Sequence, residues 1–143
     1  MYKLTGIFLM FLISLFISPV SATIFSQDGS NMTEAALYML TNNTAPIANN
    51  QSIEFFYDPE CGACTPTHEY MEQYLSEHPG TNVTMVNLSS GPEAQDLLNE
   101  RYIAYHREFL NIPVVFVGPI GLEGTKEIIS NFEGVYHWYT KSQ

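Results

Sequence analysis

The chain has 143 residues, fifteen acidic side chains against five basic ones, and a formal net charge of -10 at pH 7. That balance argues against nucleic acid and against anionic membrane surfaces as partners. Charged residues are sparse while Tyr and Phe are plentiful, which suits a globular core better than a disordered segment.

The chain opens with Lys3 and an amino terminus as a short positive end, then a run from Ile7 to Ile17 that is apolar except for Ser14. Pro19 breaks the run, and Val20-Ser21-Ala22 supplies small residues for cleavage after Ala22. Residues 1–22 therefore read as a secretory signal peptide, and residues 23–143 as one domain of ordinary size. The rival reading is an uncleaved anchor, since Leu4 to Val20 reaches the short limit for crossing a bilayer. The expected location is secreted or extracytoplasmic in the first case and membrane-tethered in the second. Five Asn-x-Ser/Thr sequons follow, at Asn31, Asn42, Asn50, Asn82 and Asn87, and suit a secreted glycoprotein.

Residues 23–30 and 41–51, rich in Ser, Thr, Asn and Gly, read as loops. Between them, Asn31 with Glu34 three residues later forms a capping box for a short helix. "SIEFFY" (52–57) is a β-branched and aromatic run of strand length. "CTPTHEYMEQYLSEH" (64–78) places Tyr70, Met71, Tyr74 and Leu75 at helical spacing, and Pro79-Gly80 stops it. "NVTMVNL" (82–88) is a second strand, which puts Asn82 and Asn87 in it. "PEAQDLLNERYIAY" (92–105) begins with Pro at a first-turn position. "PVVFVG" (113–118) and "PIGLEG" (119–124) form a hairpin, and "TKEIISNFEGVYHWYTK" (125–141) is a last helix with Gly134 a weak point. The first two strands, joined by a helix, should run parallel through a right-handed crossover. The hairpin strands should be antiparallel. An α/β fold results, a mixed central sheet with helices on both faces.

Both cysteines lie in "FFYDPECGACTPTHEY", where a strand gives way to a helix. A purely structural disulfide between Cys61 and Cys64 would close a four-residue ring worth about 2 kcal/mol, against about 4.7 kcal/mol for a loop of 100 residues. Zinc needs four ligands, and this chain supplies one Cys-x-x-Cys pair with His68 four residues later. Copper(I), which favours thiolates, is the better candidate metal. A redox couple needs an attacking thiol at a helix N-terminus, where free N–H groups favour the thiolate, and a resolving thiol one turn on. Cys61 and Cys64 fit that pattern.

The segment "FFYDPECGAC" followed by a helix resembles the active site of the thioredoxin-like thiol–disulfide oxidoreductases. It is especially similar to extracytoplasmic members with an aromatic strand and a Pro two residues before the first Cys. "NIPVVFVG", some fifty residues later, resembles their cis-proline segment, and the hairpin and final helix also match. The resemblance spans about residues 50 to 140 and implies a thioredoxin-like fold for residues 23–143. It implies Cys61 as nucleophile, Cys64 as resolving thiol, and Pro113 as a cis-proline facing them, with the Ile112 backbone offered to an extended substrate. The implied activity is protein-disulfide exchange, with protein thiols or disulfides as substrates. A membrane redox partner would recharge the couple, because the chain carries no cofactor motif.

Three departures stand out. Glu60 sits where thioredoxin has Trp. The position of the buried acid, six residues before the first Cys, falls on Phe55, and Glu54 could replace it in proton transfer only if the turn holds an extra residue. The Gly-Ala dipeptide lacks the histidine of strong oxidants, and Asp58 and Glu60 disfavour a thiolate. The couple should therefore be less oxidising than the Pro-His type. A copper-binding metallochaperone using Cys61, Cys64 and His68 and a redox-inert thioredoxin-fold binding module are the alternatives.

Overall fold

The structure, a computed structural model, describes residues 23–46, 51–109 and 111–141. The signal-peptide assignment and the Asn50 sequon lie outside the described residues. Among those described, no helix is long and apolar enough to cross a membrane.

Six strands form one sheet: β1 (Thr23–Ser26), β2 (Asn31–Met32), β3 (Glu54–Tyr57), β4 (Thr84–Asn87), β5 (Val114–Val117) and β6 (Ile120–Glu123). Their spatial order is β2-β1-β6-β5-β3-β4. β3 and β4 run parallel, with Glu54 opposite Thr84, and the other pairs are antiparallel. The helices are α1 (Glu34–Asn43), α2 (Thr65–Glu77), α3 (Pro92–Ala104) and α4 (Thr125–Thr140). The mixed α/β sheet with helices on both faces is the expected architecture.

Alternation along the strands divides the core in two. On one face, Phe55, Val115, Val117 and Leu122 pack against Leu37 of α1, Met71 and Tyr74 of α2, and Phe132 and Trp138 of α4. On the other, Phe56, Val86, Val114 and Phe116 pack against Leu98 and Tyr102 of α3. The β5–β6 hairpin turns through Gly118-Pro119, with Val117 opposite Ile120 and Gly118 at φ +55. Only glycine adopts that backbone readily, and it stands where a two-residue hairpin loop requires it. Gly121 is needed for a different reason, because a Cβ there would enter the Phe25 ring.

Four expectations change. Residues 23–30 are not all loop: β1 pairs with four consecutive residues of β6 and buries Ile24 and Phe25. α1 is capped by Thr33, whose Oγ1 accepts from the Ala36 N–H at 3.1 Å, and Asn31 belongs to β2 instead. α1 also runs on to Asn43, because Thr41, Asn42 and Asn43 bond back to the carbonyls of Leu37, Tyr38 and Met39. β4 starts at Thr84, which leaves Asn82 exposed in the preceding loop. Asn87 is half-buried, and its Oδ1 accepts from the Ser89 N–H.

Candidate functional site

β3 ends at Tyr57 and the chain turns at once. Asp58 makes the turn: its Oδ1 accepts from the Glu60 N–H at 2.8 Å and its carbonyl from the Cys61 N–H at 3.1 Å. This is the Asx-turn chemistry that favours Asp at such positions. A second turn follows, closed by the Cys64 N–H on the Cys61 carbonyl at 2.9 Å, and the Cys64 carbonyl then accepts from His68 at 2.8 Å.

α2 begins at Thr65 with Cys64 as its cap. Cys61 therefore lies one turn before the helix rather than at its first residue. Pro66 sets that boundary. It has no N–H for the Gly62 carbonyl, and its ring would clash there, so the regular helix cannot reach back to Cys61.

The two thiols are unequal. Cys61 is half-exposed, while Cys64 is 1% exposed. Burial pushes the Cys64 thiol up to about 12. Contact with the Cys61 thiol and the charges of Cys61 and Asp58 act in the same direction, against an Asp58 backbone hydrogen bond that lowers it. An ionised Cys64 is thus strongly disfavoured while both thiols are free.

Two remote segments clamp the turn. The Ser89 hydroxyl donates to Asp58 Oδ1 at 3.0 Å, and Thr125, the first residue of α4, donates from Oγ1 to the Ala63 carbonyl at 2.6 Å. A lone Ser or Thr in a sequence gives no sign of either contact.

The Ile112–Pro113 peptide is cis. Phe56 faces Val114 across β3 and β5, so Pro113 falls at the sheet end where the cysteine turn leaves β3. Pro113 is buried, and its carbonyl accepts from the Gly124 N–H at 2.8 Å. Ile112 and Asp58 line one hollow of about 290 Å³, together with Leu88, Gln95, Leu98 and Asn99. The cysteine turn and the Ile112–Pro113 segment are therefore brought together.

Glu54 is not. It stands on the α3 face at the far end of β3, 5% exposed, and it accepts from Arg101 Nε at 2.5 Å, Arg101 Nη2 at 2.7 Å and Ser52 Oγ at 2.7 Å. Burial pushes its carboxyl up, but the hydrogen bonds from Arg101 and Ser52 and the guanidinium charge outweigh this and hold it below the usual range. A committed carboxylate on the face away from α2 is badly placed to take a proton from either cysteine.

His68 lies against Tyr57 with the rings tilted and their centroids 4.3 Å apart, and its Nδ1 lies 3.7 Å from Glu72. Among the described residues, no group of three or more His, Cys, Asp and Glu side chains is arranged to hold a metal ion.

Behind the Ile112–Pro113 segment two buried polar groups, Glu123 and Tyr102, meet the exposed Asn111, and no motif in the sequence marks them. Glu123 is 2% exposed at the end of β6, next to Tyr102 of α3 and to Asn111. The signal was present as one acidic residue in the otherwise apolar hairpin. Compared with protein-family models, with curated proteins and with solved structures, the chain matches none of them.

Proposed function

We propose that this protein is an extracytoplasmic thiol–disulfide oxidoreductase of thioredoxin-like fold, exchanging disulfides with protein thiols through Cys61 and Cys64. The observation that carries the reading is the inequality of the two cysteines. One is within reach of a client, and the other is buried behind it with its thiol pushed up to about 12. Exchange needs an exposed sulfur to attack and a second sulfur close by to resolve the mixed disulfide. The strand–turn–helix setting and the neighbouring Ile112–Pro113 segment add support, since a client strand could use the free backbone groups of Ile112.

In the oxidising direction, a client thiolate attacks Cys61 of the Cys61–Cys64 disulfide. The client–Cys61 bond forms and Cys64 leaves as a thiolate that takes up a proton. A second client thiolate then attacks the client sulfur of the mixed disulfide, the client disulfide forms, and Cys61 leaves. The client is oxidised by two electrons and the pair is reduced by two. A high affinity of Cys64 for its proton in the reduced state favours the dithiol, so the pair gains nothing from a stabilised thiolate there.

The test is mixed-disulfide trapping in the native host. Cys64→Ser should accumulate client adducts on Cys61, while Cys61→Ser should trap none. Adducts on Cys61→Ser alone would reverse the roles, and adducts on neither would remove the reading. The couple's reduction potential should fall between about -270 and about -120 mV, the values of thioredoxin and of a strong periplasmic oxidant.

A further inference from the structure

Glu123 closes β6 directly behind the segment that carries Ile112 and Pro113, and its two oxygens take different partners. Oε1 accepts from Asn111 Nδ2 at 2.9 Å, and Oε2 lies 2.9 Å from the Tyr102 hydroxyl. The same hydroxyl lies 2.7 Å from the Asn111 carbonyl oxygen and accepts from the Asn111 N–H at 3.1 Å.

Counting protons decides the state of this cluster. A phenol has one proton, and here two oxygens compete for it. If the proton goes to a Glu123 carboxylate, the Asn111 carbonyl and the phenol oxygen are left 2.7 Å apart with nothing between them. If the proton goes to the Asn111 carbonyl, the contact with Glu123 Oε2 needs a proton of its own, and only the carboxyl can supply one. The second arrangement gives each oxygen–oxygen contact one proton and satisfies every group. Glu123 and Tyr102 are buried while Asn111 reaches solvent, and a buried polar group left without its partner is costly.

We infer that Glu123 is a neutral carboxylic acid in the folded protein, donating from Oε2 to Tyr102, and that Glu123, Tyr102 and Asn111 together position the Ile112–Pro113 segment. Tyr102 in turn donates to the Asn111 carbonyl, so the backbone just before Ile112 is held on both its N–H and its C=O. These are positioning residues, and their role in exchange rests on the function proposed above.

The surroundings push in the same direction. Burial pushes the Glu123 carboxyl up, and the bonds to Tyr102 and Asn111 offset this only in part. The charged group facing it is Arg107, in the segment after α3, which lowers it slightly. Arg107 has other partners, donating to Asn31 Oδ1 at 2.7 Å and lying over the Phe25 ring at 4.5 Å. From α3 the facing titratable group is Tyr102, from β5 the opposite residue is Val114, and from β1 it is Thr23. Raising the pH would ionise Glu123, draw the Tyr102 proton to the carboxylate and leave the Asn111 carbonyl without its donor.

Glu123→Gln is the discriminating variant, because its amide N–H₂ replaces the acid's donor to Tyr102 and its C=O still accepts from Asn111. Infrared difference spectra of the full chain at neutral pH should show a protonated-carboxyl C=O band that Glu123→Gln removes. Amide hydrogen exchange should keep Asn111 protected in Glu123→Gln and release it in Tyr102→Phe. Exchange with a disulfide-bonded client should keep its KM within about twofold in Glu123→Gln. In Tyr102→Phe, KM should rise about tenfold with little change in kcat, as loss of a buried hydrogen bond implies. The alkaline weakening of client binding should vanish in Glu123→Gln. Absence of the band, or unprotected Asn111 in Glu123→Gln, would overturn the inference. Should no variant, nor the unaltered protein, exchange disulfides, the function fails, while the band and the amide protection still decide the state of Glu123.

Discussion

Ser89 and Asp58, thirty-one residues apart, share a hydrogen bond of 3.0 Å that ties the cysteine turn to the segment between β4 and α3. The Asp58 oxygen that receives it also accepts from the Glu60 N–H, so one carboxylate shapes the turn and anchors it. Asp58→Ala should free the Glu60 N–H and the Ser89 hydroxyl together and slow disulfide exchange about tenfold, with a loss of about 1–2 kcal/mol in stability. Asp58→Asn should keep the turn, since its side-chain oxygen can make the same bonds. Comparing the two by stopped-flow exchange and denaturant unfolding checks this, and equal damage from both would mean that the charge, not the geometry, matters.

The unequal thiols make a prediction about pH. In the reduced folded protein the Cys64 thiol keeps its proton up to about 12, whereas in the unfolded chain it ionises near its ordinary 9.0. Between those values the unfolded state holds fewer protons than the folded one, so the stability of the reduced protein falls as pH rises through the interval. Cys64→Ser should lack that part of the alkaline decline. Urea unfolding of both reduced proteins across that range is the measurement. A thiol reagent at neutral pH should meanwhile modify Cys61 and leave Cys64 untouched until the protein unfolds.

Glu54 carries the opposite sign. Its carboxyl is held below the ordinary range in the folded state by Arg101 and Ser52, so its contribution is present above the unfolded value and is lost as pH falls through the folded one. Glu54→Gln should cost about 1–2 kcal/mol at neutral pH by weakening its charged hydrogen bonds to the partly exposed Arg101, and should flatten the acid side of the stability profile. Exchange activity at a temperature where the variant is folded should stay within about twofold. A large loss of activity in the folded variant would restore the proton-transfer role that the sequence suggested.

Two glycines should respond in opposite ways. A methyl group at Gly121 would enter the Phe25 ring, so Gly121→Ala should destabilise by about 1–3 kcal/mol. Gly134 lies exposed in α4 with nothing near its missing side chain, so Gly134→Ala should stabilise by about 0.8–1 kcal/mol. Thermal unfolding of both variants checks the pair.

Much of this architecture is legible in the residues. α2, α3 and α4 announce themselves through apolar spacing and, for the first two, through Pro79-Gly80 and Pro92; β3 and β5 do so through dense β-branched and aromatic runs, and β6 through the tight turn that joins it to β5. β1 does not, because four residues amid polar neighbours carry no period, and the partner that makes them a strand, β6, lies about a hundred residues away. Glu54 shows what residue type alone leaves out. Its residue type suited a proton acceptor, but successive strand residues face opposite sides. An offset of one residue from Phe55, which faces α2 and α4, sends Glu54 to the α3 face and to Arg101. The contacts of Ser89 and Thr125 with the cysteine turn were beyond reach for another reason, since nothing local marks a hydroxyl that will meet a backbone or carboxylate many residues away.

The strand order carries a consequence for synthesis. β1, the first described strand of the chain, pairs with β6, and β3 pairs with β5, so the middle of the sheet is missing until residues beyond 114 have been made. A ribosome delivers the chain from its N-terminus, and non-local pairings cannot close before both members exist. Cys61 and Cys64 therefore emerge, and travel, on a chain whose sheet is still open. The finished protein buries Cys64 and leaves Cys61 half-exposed, and an emerging chain that lacks its central strands has no closed sheet on which to set that difference.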